Sequence, residues 1–288
     1  MCAPYYNLDN FLLTMIVLFR LLMGNVIEIT SAEQIRARRL LMKKIFMAVL
    51  LLLLMAAPAM AKVTFQFQPT FTQDDFKNLS RDMGLAISYM PLAPAEPLGG
   101  VLPGFDIGIE VTGVSIDKNA SYFQKAVTNP SDLPSTIPEA KAHVQVGLPV
   151  IPIDLGIVYG TAPDTDVKLI GYEVKWAFIK GSTVSPAVAI RGAYTKLSGV
   201  DEFDISTKSL DISISKGFTI LTPYAGIGEV WITSTPNANL PSIPLKKEDI
   251  TETKGFVGLK LGLGLINFVA EADFASVNAY SLRMNLHF

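Results

Sequence analysis

The chain has 288 residues, half of them hydrophobic and 17% charged, with 24 basic against 26 acidic side chains and a mean hydropathy of +0.37. That is too apolar for a disordered chain and too evenly charged for a nucleic-acid binder. The single cysteine, Cys2, excludes an intrachain disulfide framework and any multi-thiolate metal site.

Met42-Lys43-Lys44 reads as a basic n-region, Ile45 to Met55 as an apolar core, and Ala59-Met60-Ala61 as a small-residue cleavage site. Together they predict a secretory signal over 42–61, cut after Ala61 by a signal peptidase. The apolar core is too short for a transmembrane anchor. Upstream, Phe11 to Ile27 is apolar but interrupted by Arg20 and followed by Arg36, Arg38 and Arg39. Residues 1–41 are expected to be an upstream extension from a misassigned start; a genuine inner-membrane helix is the alternative. Removing the leader also removes Cys2, leaving an acidic, thiol-free chain suited to an oxidising compartment.

Beyond residue 61 no apolar run reaches the 18 or more residues of a membrane helix. Val63 to Gln68 is a candidate first strand. Thr72 with Asp75 resembles a capping box and Phe71 with Phe76 a hydrophobic staple, so a short helix is expected at about 72–82. From there on, alternation with period two dominates. Leu85, Ile87 and Tyr89 share one face of a candidate strand at 83–91. Phe105 to Val111, Ala142 to Leu148, Ile153 to Tyr159 and Ile170 to Phe178 alternate in the same way. Residues 186–198 and 220–234 alternate more weakly. In 203–215 the parity slips between Ile205 and Leu210, which predicts a bulge. Val257 to Leu263, Phe268 to Phe274 and Tyr280 to Phe288 complete eleven runs. Most reach the 9–11 residues of a tilted membrane strand, and Gly, Pro, Asn and Asp cluster between them.

The last run, Tyr280, Leu282, Met284, Leu286 and Phe288, resembles the C-terminal β-signal of Gram-negative outer-membrane proteins. The whole of 62–288 resembles the small, uncharacterised barrels of that class. The resemblance implies a location in the outer membrane, contact with its lipid, and recognition by the barrel-assembly machinery. The expected fold is all-β: an antiparallel up-and-down transmembrane barrel of about twelve strands, with ten to twelve as the range. Residues 83–288 form the barrel, and 62–82 supply either a strand and helix or a lumenal plug.

If Phe288 lies on the periplasmic side, connections near 149–152, 180–185, 216–219 and 264–266 face the periplasm, with 92–104 as a longer fifth. Those near 117–139, 162–166, 199–202, 235–249 and 276 face outward. The two longest then both fall outside, as barrels require. Parity points Asp106, Glu110, Asp154, Glu173, Asp211, Glu271 and Asp273 into the lumen, with Lys141, Lys175, Arg191, Lys260 and Arg283. These charges either pair across a narrow filled lumen or line a constricted pore. Outward Tyr89, Tyr159, Tyr172, Trp176, Phe178, Phe274 and Tyr280 are expected to form aromatic girdles.

No catalytic constellation emerges. His143 has no serine on its face, His287 sits at a rim, and no His/Asp/Glu cluster has metal-ligand spacing. Gly258, Gly262 and Gly264 follow an alternating run and do not form a dinucleotide fingerprint. The expectation is no enzyme, no cofactor, no metal and no nucleic-acid partner. Two functions remain: a narrow pore or conduit for small solutes, or a non-conducting structural or adhesive barrel whose loops 117–139 and 233–250 bind a partner. The solute or surface ligand is not readable from the residues.

Overall fold

A computed structural model describes residues 64–288 except 162–165 and 238–243; the expected signal peptide and upstream extension lie outside the described residues. Helix α1 spans Gln73–Ile87 and precedes ten strands. They are β1 (Gly104–Ser115), β2 (Thr136–Gly147), β3 (Ile153–Thr161), β4 (Lys168–Lys180), β5 (Ala187–Ser198), β6 (Phe203–Ser215), β7 (Leu221–Pro236), β8 (Glu248–Leu263), β9 (Ile266–Phe274) and β10 (Asn278–His287). A short helix, α2 (Ser121–Ala126), lies in the β1–β2 connection. Each strand pairs antiparallel with its chain neighbour, and β1 pairs β10 to close the barrel. Phe105 and Phe288 each donate a backbone N–H to the other's carbonyl at this seam, and their rings stack at 5.7 Å.

The barrel therefore has ten strands rather than about twelve. Both missing strands lie before Gly104. Of the candidate strand at 63–68, the described residues 64–68 contribute only a single bridge, between Phe65 and Val127. Residues 83–91 are not a strand, because the capping box starts a helix that takes up 83–87. Thr72 caps the backbone N–H of Asp75, and the Asp75 carboxylate accepts from Thr72 N at 3.0 Å. Phe76, Leu79, Met83 and Ile87 are spaced three or four apart, so the apolar residues fit a helix as well as a strand. The local cap decides between the two periods. The helix stops at Ser88, ahead of Pro91, where continuing it would cost a clash.

The expected bulge in 203–215 is also absent: β6 keeps unbroken register with both β5 and β7. The slip in hydrophobic parity has another cause. In the upper part of β6, Phe203 and Ile205 are buried while Asp204 and Lys208 are exposed; lower down, Asp211, Ser213 and Ser215 point in while Leu210, Ile212 and Ile214 are exposed. The backbone is regular, and the polarity of its two faces exchanges. The same exchange recurs around the barrel. Near the long connections, Val114, Leu169, Leu197, Ile232 and Ile250 are buried inward. The register irregularity that does occur lies between β4 and β5, between Trp176 and Ile179.

The short connections, 148–152, 181–186, 216–220 and 264–265, share one end with Gly104 and His287. The other five connections, the two longest (116–135 and 237–247) among them, lie at the other end. Among the described residues no helix is long and apolar enough to cross a membrane, which says nothing about crossing by strands.

Candidate functional site: the plugged lumen

Residues 73–98, α1 and the chain below it, occupy the inside of the barrel. At the long-connection end, residues 64–68 lie against the β1–β2 connection: Gln66 and Gln68 donate their backbone N–H groups to Ala126 and Lys125. α1 then fills the mouth. Its Phe76 and Leu79 are wholly buried among Phe67, Phe71, Phe123, Phe203 and Ile232. Phe76 meets Phe67 and Phe203 edge-on, with ring centroids 6.1 and 6.2 Å apart. Gly84 permits this close approach, because a Cβ there would lie 2.4 Å from Ile232 Cγ2. Polar contacts lock the rim. Lys125 Nζ donates to Asp75 at 2.8 Å, Tyr122 Oη donates to Asp82 at 2.6 Å, and Gln73 receives the N–H of Lys246. Burial opposes ionisation of Asp75, but Lys125 and the Thr72 N–H hold its carboxyl below the usual carboxylate range. Burial and the neighbouring Asp82 push the Tyr122 phenol up.

Below the helix the chain runs as an extended thread, Met90-Pro91-Leu92-Ala93-Pro94-Ala95-Glu96-Pro97-Leu98. A proline at every third position prevents helix and removes donors, so the remaining backbone polar groups must find partners in the barrel wall. They find the inward charges. Lys254 Nζ donates to the Tyr89 carbonyl at 2.7 Å, and Glu271 accepts the Leu92 N–H at 2.9 Å. Lys175 Nζ donates to the carbonyls of Pro94 and Glu96 at 3.0 and 2.9 Å, and Asp154 accepts the Leu98 N–H at 3.0 Å. Leu92 is held at φ 43°, a left-handed conformation costly for leucine, and packs against Tyr224, Phe256 and Val269. Gly258 gives Tyr224 its space, since a Cβ there would lie 2.1 Å from the Tyr224 ring.

All twelve sequence-derived lumenal candidates line the interior, and eleven are buried; Lys260 is partly exposed. The wall joins them into pairs. Arg283 meets Asp106 at 2.9 Å, Lys175 meets Asp154 at 2.9 Å, and Arg191 Nε meets Glu173 at 2.8 Å. Lys141 lies 3.5 Å from Glu110. The remaining acids sit among these pairs: Asp211 faces Arg191, and Glu271 accepts from Tyr224 at 2.7 Å. Asp273 is engaged by Lys254 at 3.2 Å. Lys254 is absent from the parity reading, which began that strand at Val257; continuing the alternation backwards finds it. Tyr89 is not an outward girdle residue. It is buried in the lumen, 2.9 Å from His143 Nε2, with His143 Nδ1 facing Glu110 and Arg283. Tyr159, Tyr172, Trp176, Phe178 and Phe274 are exposed on the outer face.

Among the described residues there is no cluster of three or more groups that could hold a metal ion. What the arrangement does chemically is hold a peptide. Wall charges replace the water that an extended backbone would otherwise bind.

No protein-family model matches the chain, and no curated protein matches it. Among solved structures it is similar to the N-terminal β-barrel domain of Pseudomonas aeruginosa OprF, at 14% identity and a TM-score of 0.32, over 64% of this chain and 97% of that one. It is also similar to the KdgM porin in complex with disordered oligogalacturonate, at 9% identity and TM-score 0.32, over 64% and 99% of the two chains. A third is Neisserial surface protein A, at 7% and 0.29, over 64% and 95%.

Proposed function

We propose that the protein is an outer-membrane β-barrel, closed at rest by its own N-terminal segment, that conducts small solutes when the segment leaves the lumen. The exchange of polarity between the two faces supports the membrane reading. Outward residues from Ile170 to Phe178 on β4 and from Tyr280 to Phe288 on β10 are apolar over nine residues. At roughly 3.3 Å per residue and a tilt of about 40° they cover about 20 Å of height. Val101, Leu102, Val150, Ile151, Val184, Phe218 and Leu265, all exposed at the short-connection end, extend this towards the roughly 25 Å of a lipid-facing band. Above the band the outer face turns polar and the inner face apolar, as in a water-soluble fold.

The single observation that carries the conduit reading is how the plug is held. A packed filler would be welded by apolar contact along its length. Here apolar packing is concentrated in α1 at the mouth, while the thread below it, beyond the buried contacts of Leu92 and Ala95, is bound by reversible hydrogen bonds to Lys254, Glu271, Lys175 and Asp154. The alternative is a non-conducting barrel whose loops bind a partner; the β1–β2 connection, however, is already engaged in sealing the mouth through Phe123 and Tyr122.

Planar-bilayer recording tests the proposal. The wild-type barrel is expected to be silent or to open only briefly, and a variant lacking residues 64–98 is expected to give steady steps. If the deletion variant folds and stays silent, the conduit reading fails and the loops become the place to seek function.

A further inference from the structure

At the short-connection end, the thread and the wall leave a cavity of about 150 Å³. Its charged lining is Lys175, Lys260, Arg283, Asp106 and Glu96, with His287 beside them. Most of these groups are already committed. Lys175 spends its donors on Asp154 and two thread carbonyls. Asp106 accepts from Arg283 on one oxygen and from Asn285 on the other. Beside the unpartnered acceptor Asn285 Oδ1 and the Glu96 carboxylate, what remains is a group of uncommitted nitrogens. Lys260 makes no hydrogen bond or ion pair among the described residues. Arg283 Nε is buried without a partner, although the same guanidinium binds Asp106 and His143 through its other nitrogens. His287 Nδ1 is likewise buried and unpartnered.

An uncommitted ammonium, a free guanidinium N–H and an imidazole nitrogen around one cavity form a recognisable receptor. A buried unpaired donor is costly, and a ligand supplying acceptor oxygens would remove that cost while neutralising Lys260. We infer that this cavity binds a small oxyanion, a carboxylate or phosphate of about the size of benzene, through Lys260, Arg283 Nε and His287. The size follows from the volume, since a cavity of about 150 Å³ accommodates benzene. Glu96 works against the site. It lies on the thread, within electrostatic reach of Lys260, so movement of the thread would change the charge seen by the anion. This inference concerns binding to the closed barrel and does not depend on conduction.

The test is calorimetric titration of the detergent-solubilised protein with sodium phosphate and, separately, sodium acetate. Saturable binding of at least one is expected, weakened about tenfold or more in Lys260→Met, retained in Lys260→Arg, and unchanged in Lys77→Met, an exposed lysine on α1. Heat-resistant migration on a gel confirms that each variant is a folded barrel. Absence of saturable binding by the wild type, or equal binding by folded Lys260→Met, overturns the inference. Anion binding by the wild type together with silence of the folded variant lacking residues 64–98 would leave the anion site standing and remove the conduit.

Discussion

Replacing Phe76 with alanine isolates the seal at the mouth from the tethers below it. The ring is wholly buried and touches the outermost plug segment through Phe67 and the barrel wall through Phe203. Truncating such a phenylalanine costs about 3–5 kcal/mol, of which the two edge-on ring pairs supply about 0.5–1.5 each. At about 1.4 kcal/mol per factor of ten, the population with α1 lifted from the wall should rise by roughly two to three and a half powers of ten. The wall strands keep their own ladders, and the thread keeps Lys254, Glu271, Lys175 and Asp154, so the barrel itself should remain folded. Limited trypsin digestion reads the effect, because cleavage after Arg81 requires α1 to unwind. When reclosing is fast compared with cleavage, the digestion rate follows the open population. Phe76→Ala should accelerate cleavage after Arg81 by at least a hundredfold while the barrel core resists. A folded variant cleaved no faster than the wild type would refute the claim that aromatic burial seals the mouth.

Three further expectations follow from the same geometry. Gly84→Val should lift α1 from the wall by clashing with Ile232, at a cost of about 1–3 kcal/mol, and Ile232→Ala should partly restore it; hydrogen exchange of residues 76–87 reports both. Ile212→Arg on the apolar outer face should impair membrane assembly by about 2–4 kcal/mol, whereas Ser206→Arg on the polar outer face of the same strand should be tolerated, as judged by the heat-resistant folded fraction. Acid should loosen the rim. The Asp75 carboxyl is held below its ordinary value, so its contribution is full above pH 3.8 and is lost as pH falls through its depressed titration. Protection factors of the amides at the start of α1 should therefore fall below about pH 4 in the wild type, and Asp75→Asn should show no such acid-dependent fall.

Much of this architecture was legible because a strand writes its two faces into alternate residues. From Phe105 to Phe288 that record places the ten strands and their connections, and it orients the charges of the wall. It fails where two elements share one composition. Leu85, Ile87 and Tyr89 alternate, yet the same stretch continues the helical spacing of Phe76, Leu79 and Met83, and the Thr72–Asp75 cap was the deciding signal. The parity slip near Ile205 misleads for a different reason. Alternation reports polarity rather than geometry, so a regular strand whose two faces exchange polarity mimics a bulge. The partners of Lys175, Glu271 and Asp154 were out of reach altogether. They are backbone groups of the thread, which carry no side-chain signature.

The path of the thread also constrains assembly. Gly104 and His287 meet at the short-connection end, but residues 64–68 lie at the opposite mouth beside the β1–β2 connection. The segment joining them runs the length of the enclosed interior. A ring already closed at β1 and β10 offers no side opening through which α1 and its bulky aromatic residues could be inserted. Until the Phe105–Phe288 seam forms, the segment can be laid in from the side; afterwards it can enter or leave only along the axis, through a mouth.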